Sequence, residues 1–184
     1  ATEDKSKFQQ ITGSLLYLAI CTRGDLLYAV HLLTRRMSNP RVLDLHRAKR
    51  VLSYLLNTAQ YGVTFHGNDD DQIFGWADSA FNSGEGERKN CYGYCFQLGS
   101  KSAMFLNVCK RSTIIAQSST EAELYALAEA CRELLWIRSF LGELNLSITC
   151  DTTFQDNTAT INMVNQDGMS ERSKHIDAVS YTHL

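Results

Sequence analysis

Residues 118–127, SSTEAELYAL, decide the fold of this chain because they begin a long amphipathic helix. Ser118 and Glu121 have the S-x-x-E spacing of a capping box, which marks a helix N terminus. Beyond them, apolar residues recur at helical spacing, namely Leu127, Ala130, Cys131, Leu134, Ile137 and Leu141. The pattern predicts a helix over roughly 120–141 that faces a core with this apolar stripe.

The two acids of this stretch have different predicted surroundings. A helix advances about 100° per residue, so Glu123 falls inside the apolar stripe and Glu121 lies on the solvent side with Arg132. Capping and the helix dipole account for Glu121. Thr120 and Glu123 also match S/T-x-x-E, so capping stays open for Glu123. A buried carboxylate otherwise needs a basic partner, a proton, or a metal shared with other acids.

The first third of the chain has helical periodicity. The segments ITGSLLYLAI, LLYAVHLLTRRM and RVLDLHRAKRVLSYLLNT predict helices, and YGVTFHG after them predicts a short strand. The acidic, turn-forming GNDDD at 67–71 then marks a domain boundary. We therefore predict a helical segment over residues 1–68 and a second domain over 69–184.

The second domain changes to a strand pattern. QIFGWADSAF, CYGYCFQLGS and SAMFLNVCKRS predict three antiparallel strands, followed by the long helix, a strand at ITCDTTFQD and a short helix at NTATINMVNQ. This order predicts an α/β domain with a mixed sheet. Trp76 and Trp136 stand among apolar neighbours and are predicted to be core residues.

Composition excludes several classes of protein. The 18 basic and 20 acidic residues leave no dominant field for binding a polyanion, and no apolar stretch is long enough to span a membrane. Six cysteines are present, but Cys91 and Cys95 are followed by no second pair at zinc-site spacing. We interpret the cysteines as buried, reduced thiols of an intracellular protein.

Three further acids stand where a site can form. Asp78 closes the strand pattern IFGWAD, Asp156 closes ITCDTTFQ, and Asp177 ends SKHID. Taken singly they are a turn residue, an N-cap and a solvated charge. Together with Glu123 they predict carboxylates that converge at strand ends, where α/β sheets place their sites. Such oxygen ligands suit Mg²⁺ or Mn²⁺, and a pair of these ions suits phosphoryl displacement.

Four motifs in this order, GWADS, SSTEAEL, QDNTA and RSKHID, resemble the ribonuclease H domain of copia-type retrotransposon Pol polyproteins. The upstream helices resemble the segment that joins the reverse transcriptase of that family to its ribonuclease H domain. The resemblance implies a ribonuclease H-like mixed sheet, with three antiparallel strands followed by helix, strand and helix. It also implies that residues 1–68 are a C-terminal fragment of a reverse transcriptase.

The resemblance assigns the catalytic and metal-binding roles to Asp78, Glu123, Asp156 and Asp177. It implies cleavage of the RNA strand of RNA–DNA hybrids with two Mg²⁺ ions, for which Mn²⁺ can substitute. The implied partners are the hybrid and the rest of the Pol polyprotein, in cytoplasmic virus-like particles or in the nucleus. Candidate contacts to nucleic acid are Ser79, Arg88, Lys89, Asn157, Arg47 and Arg50; a solvated helix face explains the last two equally well.

Some residues depart from the family pattern. Arg23-Gly24-Asp25 replaces Arg-Pro-Asp, Gln155 replaces a cysteine, and AVSYTHL does not continue the family's last helix, so we expect a domain truncated at its C terminus. Two alternatives remain open on these grounds. One is an inactive or repurposed Pol fragment that at most binds nucleic acid. The other is an integrase-like enzyme of the same fold, which the order of the four acids disfavours.

Overall fold

The computed structural model describes residues 2–67, 71–81, 89–146 and 150–165. Its N-terminal part contains the helices α1 (Thr2–Cys21), α2 (Leu27–Thr34) and α3 (Val42–Asn57), with a 3-10 turn at Gly24–Leu26 before α2. These helices pack on one another around a core of Phe8, Leu15, Ala19, Leu26, Leu27, Val30, Leu33 and Ala48. The predicted helical segment is therefore confirmed.

Arg23 holds the connection between α1 and α2. Its guanidinium donates from Nε and Nη2 to the two carboxylate oxygens of Asp25, over 3.0 and 2.9 Å. It also donates to the backbone oxygen of Thr58 at the end of α3, over 3.0 Å. The Tyr54 hydroxyl completes the cluster by donating to Asp25 over 3.1 Å. The Arg-Gly-Asp turn thus joins all three helices.

The second part is built on one sheet of four strands, β1 (Gln72–Ala80), β2 (Cys91–Leu98), β3 (Met104–Arg111) and β4 (Cys150–Phe154). Their order is β3-β2-β1-β4, and the first three are antiparallel neighbours. The last strand, β4, pairs with β1 in parallel, after a helix that crosses the sheet. The predicted mixed sheet, with three antiparallel strands followed by helix, strand and helix, is confirmed.

The strand predicted at residues 61–67 is wrong, since this segment has no strand structure. Its backbone makes isolated bonds, with the Ala103 N–H donating to the oxygen of Thr64 over 2.9 Å. Val63 and Phe65 are more than half exposed, so the segment has no buried face that would hold a strand register.

The long helix α4 (Ser119–Glu143) covers one face of the sheet, and α5 (Thr158–Asn165) follows β4. As predicted, Ser118 caps α4, because its Oγ accepts from the N–H of Glu121 over 3.1 Å. The buried stripe of α4 consists mainly of small residues, Ala122, Ala126 and Ala130, together with Ile137. None of the helices in the described ranges is both long and apolar enough to cross a membrane.

Two predictions for residues of α4 are wrong. Cys131 was predicted on the core side but is exposed. Trp136 was predicted in the core, yet it is 59% exposed and stacks on Phe140 with ring centroids 5.5 Å apart. The rest of the predicted stripe is confirmed, since its other members are buried or pack against the core under α4, namely Leu127, Ala130, Leu134, Ile137 and Leu141.

Candidate functional site

The parallel pairing of β1 with β4 brings two acids to one level of the sheet. Trp76 pairs with Phe154, and Asp78 and Asp156 each come two residues later in the sequence. Glu123 reaches the same place from the first turns of α4. One carboxylate oxygen from each of the three acids lies within 4.8 Å of the others. The structure thus brings together three of the four acids that the sequence singled out.

Glu123 is the buried member of this group, and both its oxygens are held. Oε1 accepts from the backbone N–H of Ser79 over 3.3 Å, and Oε2 accepts from the side-chain amide of Gln155 over 3.2 Å. The same Ser79 N–H donates to Oδ1 of Asp78 over 2.8 Å. One backbone group on β1 therefore bridges two of the three acids.

Gln155 has a structural role that sequence reasoning missed. Its Oε1 accepts from the backbone N–H groups of Asp156 and Asn157, over 2.8 and 3.2 Å, while its Nε2 holds Glu123. The side chain therefore ties the end of β4 to the start of α4. The only sequence indication was that a glutamine replaces the cysteine usual in the family.

The three carboxylates concentrate negative charge at this site. Burial raises the pKa of Glu123, and the negative charges of Asp78 and Asp156 act in the same direction. The hydrogen bonds from Gln155 and Ser79 oppose this rise, without cancelling it. Three carboxylates at this distance repel one another unless a proton or a cation lies among them.

The burial of the neighbouring acid, Glu121, differs from the prediction. It was placed on the solvent side, but only 5% of it is exposed. Its carboxylate accepts from the backbone N–H of Gln117 over 2.6 Å, one residue before the N-cap. Glu121 is thus buried because it folds back over the helix start, where it satisfies a free N–H. The predicted capping box is confirmed in part, because Ser118 Oγ accepts from the Glu121 N–H, but the Glu121 carboxylate accepts from Gln117 instead of Ser118. The prediction that Glu121 lies in solvent is wrong.

The remaining predicted site residues are Asp177 and the candidate contacts to nucleic acid, and those that the structure describes lie in different parts of the fold. Asn157 accepts at Oδ1 from the N–H of Thr160 over 3.0 Å and so caps α5. Ser79 is buried, with a hydroxyl that has no hydrogen-bond partner within the described ranges. Lys89 is half-buried just before β2, whereas Arg47 and Arg50 are exposed on α3, where Arg47 pairs with Asp44. Asp177 and Arg88 lie outside the described residues.

The arrangement suits a hard divalent cation. Asp78 and Asp156 are exposed and Glu123 is buried, so an ion can reach the carboxylates from one side while Glu123 is held in place from the other. Oxygen donors alone, with no thiol or imidazole in the group, favour Mg²⁺ or Mn²⁺ over Zn²⁺. An ion here also offsets the mutual repulsion of the three charges.

Comparison with known proteins finds several related transposon proteins. The chain is 30% identical over 173 residues to the retrovirus-related Pol polyprotein from transposon TNT 1-94 of Nicotiana tabacum. Two retrovirus-related Pol polyproteins from Arabidopsis thaliana transposons match at the same identity. The match to the tobacco protein covers 94% of this chain and 13% of that protein. No protein-family model matches the chain.

A shorter relative also matches. The chain is 34% identical over 125 residues to the secreted RxLR effector protein 161 of Plasmopara viticola, a match that covers 68% of this chain and 87% of that protein. Among solved structures, the crystal structure of LC11-RNase H1 in complex with an RNA/DNA hybrid is 15% identical, with a TM-score of 0.38. It covers 60% of this chain and 74% of that chain, and is too distant to support a functional argument.

Proposed function

Because this chain belongs to the retrovirus-related Pol polyproteins of transposons, we propose that it is the ribonuclease H part of a copia-type member. In this role it hydrolyses the RNA strand of RNA–DNA hybrids in a Mg²⁺-dependent reaction. The proposed partners are the hybrid and the remainder of the Pol polyprotein, in virus-like particles of the cytoplasm or in the nucleus. Residues 1–68 are then the end of the reverse transcriptase, and 69–184 the nuclease domain.

One observation carries this proposal, the convergence of Asp78, Glu123 and Asp156 within 4.8 Å. A buried carboxylate whose pKa is raised between two other acids is a group that a divalent cation stabilises in its charged form. These three side chains would hold Mg²⁺, with Mn²⁺ as a substitute, and Asp177 is proposed as a fourth ligand. When bound, two such ions stabilise the charge that develops on the phosphate and on the leaving 3′-oxygen.

The chain's own residues supply the positioning. Ser79 and Gln155 fix both oxygens of Glu123, so this ligand needs little reorganisation when a substrate arrives. The Asn157 side chain caps α5 immediately after Asp156, which fixes the backbone on that side of the site. Lys89 and Arg88 before β2, and Arg47 and Arg50 on α3, are the proposed contacts to the hybrid backbone.

Cleavage of a labelled RNA–DNA hybrid by the purified chain tests the proposal. We expect cleavage that requires Mg²⁺, and we expect Asp156→Asn to lose about 10³-fold in rate, because it removes one charge from the ion site. Hybrid binding should persist in this variant. A matched control is Asp151→Asn on β4, five residues before Asp156, where Asp151 pairs with Arg138 over 2.9 Å. Cleavage by Asp156→Asn at the wild-type rate would contradict the assignment.

A second candidate function is a repurposed fragment that binds nucleic acid without cutting it. The observation that favours it is the Plasmopara viticola relative, 87% of which this chain covers, since that protein is hardly longer than the shared segment. Hybrid binding with no cleavage in either Mg²⁺ or Mn²⁺ would favour this candidate. Strand transfer between DNA substrates, measured in a separate assay, would favour an integrase-like activity.

A further inference from the structure

A second group of metal-binding side chains lies on the opposite face of the sheet from α4. Alternation along β2 directs Tyr92, Tyr94 and Phe96 into the core under α4, and therefore turns Cys91 to the other face. Cys109 of β3 shares that other face, where it packs against the helical core of the N-terminal segment. His31 approaches the same place from α2, which packs on β3.

The three side chains are close enough to share one ion. Gly93 pairs with Cys109 in the register of β2 and β3, so Cys91 is a diagonal neighbour of Cys109, and their sulfur atoms are 3.5 Å apart. One ligand atom from each of His31, Cys91 and Cys109 lies within 4.8 Å of the others. Nε2 of His31 is buried and has no hydrogen-bond partner among the described residues.

The chemistry of the three side chains fits an ion of this kind. Cys91 and Cys109 would bind it as thiolates, the form of cysteine that binds metals, and would release their protons on binding. The unpartnered Nε2 of His31 would supply the third donor.

The distances favour a metal over a disulfide. Two sulfur ligands of a tetrahedral zinc ion, each about 2.3 Å from the metal, are about 3.8 Å apart. The observed 3.5 Å is close to that separation. A disulfide requires an S–S distance of about 2.05 Å and would have to join diagonal positions of two strands. Both cysteines also line a cavity of about 350 Å³ next to α2, which gives an ion a route in and room for a fourth ligand.

We propose that His31, Cys91 and Cys109 bind one borderline-soft divalent cation of the zinc class. The ion joins α2 to β2 and β3, and so fastens the helical segment to the sheet. This site is separate from the carboxylate site in its chemistry, since two sulfurs and an imidazole select zinc-like ions and three carboxylates select Mg²⁺. The proposal gives Cys91 and Cys109, which are free thiols in the structure, a role beyond packing.

Cobalt titration of the reduced chain tests the proposal, with Co²⁺ as a spectroscopic substitute for Zn²⁺ and with Mg²⁺ in excess to occupy the carboxylates. We expect near-ultraviolet thiolate-to-cobalt absorption that saturates at one ion per chain and disappears when Zn²⁺ is added. Cys109→Ser should weaken Co²⁺ binding by more than about 100-fold, because it removes a direct ligand. Cys131→Ser changes an exposed thiol on α4 and should leave the titration unchanged.

The result that overturns the proposal is the absence of thiolate absorption in the wild-type chain, or an identical titration in Cys109→Ser. Circular dichroism checks that the variant is folded. If it is not, His31→Gln serves in its place, and an unchanged affinity for Co²⁺ there counts against the site. Recovery of a Cys91–Cys109 disulfide as the stable state, with no Co²⁺ bound after reduction, would also overturn it.

Discussion

The backbone N–H of Ser79 on β1 donates to Oε1 of Glu123 on α4 over 3.3 Å, across the junction of sheet and helix. The same N–H lies 2.8 Å from Oδ1 of Asp78. A main-chain group cannot change rotamer, so this contact positions Glu123 relative to Asp78 through the register of β1. On the other side, the side-chain amide of Gln155 donates to Oε2 of Glu123 over 3.2 Å.

Gln155→Ala should impair catalysis without unfolding the chain. The change leaves Oε2 of Glu123 without its donor and frees the N–H groups of Asp156 and Asn157. We expect hybrid cleavage to fall by about 10- to 100-fold and to require more Mg²⁺ for half-maximal rate, as when supports of metal ligands are removed. The measurement is the cleavage rate as a function of Mg²⁺ concentration.

Gln97→Ala provides the matched control, because the Gln97 amide donates to the oxygen of Gly99, at the far end of β2. It should leave the Mg²⁺ dependence unchanged. If Gln155→Ala and Gln97→Ala respond alike to Mg²⁺, Gln155 does not position Glu123.

Gly75→Ala should destabilise the sheet. A Cβ at this position of β1 would lie 2.6 Å from Cε1 of Phe96 and 3.2 Å from Oγ1 of Thr153. Phe96 is fully buried, so its ring cannot move aside without disturbing the core under α4. We expect the free energy of unfolding to fall by about 1–3 kcal/mol, measured by chemical denaturation.

Gly142→Ala is the corresponding control in a helix. Nothing lies within 4 Å of a Cβ at Gly142, near the end of α4. Alanine there should raise the free energy of unfolding by up to about 1 kcal/mol, because it favours the helix more than glycine does. Equal effects of the two substitutions would show that the contact with Phe96 is not what excludes a side chain at Gly75.

Asp25→Asn should lower stability in a manner that depends on pH. The Arg23 guanidinium and the Tyr54 hydroxyl hold the pKa of Asp25 below its usual value. The pKa of Asp25 is thus lower in the folded chain than in the unfolded chain. The stability that its charge contributes is therefore fully present above about pH 4, the ordinary aspartate pKa, and is lost as the pH falls through the folded-state pKa. The Asp25 side chain is 39% exposed, so we expect about 1 kcal/mol or less at neutral pH.

Denaturation of both proteins across this range measures the effect. The difference between wild type and Asp25→Asn should be constant at neutral pH and should vanish in strong acid. A difference that persists with Asp25 protonated would mean that the substitution acts through packing or hydrogen bonding and not through charge.

Local sequence patterns predicted most of the helices and strands and much of the candidate site. The S-x-x-E spacing located the start of α4, and alternation located β1 to β3, because both patterns reflect contacts between residues close together in the chain. The same patterns singled out Asp78 near the end of β1, Glu123 in the first turns of α4 and Asp156 just after β4. Their convergence required one further fact, the parallel pairing of β1 and β4.

The remaining features depend on contacts between residues that are far apart in the sequence. The helical wheel put Glu121 in solvent, but its side chain folds back over the helix start, accepts from the N–H of Gln117 and is buried. The contact of Gln155 with Glu123 depends on the tertiary fold, because it joins the segment after β4 to the start of α4. The group of Cys91, Cys109 and His31 follows no spacing that the sequence could have indicated. Strand register and the packing of α2 on the sheet bring these side chains together. Periodicity reports which face a residue occupies in its own element, and it carries no information on which other element covers that face.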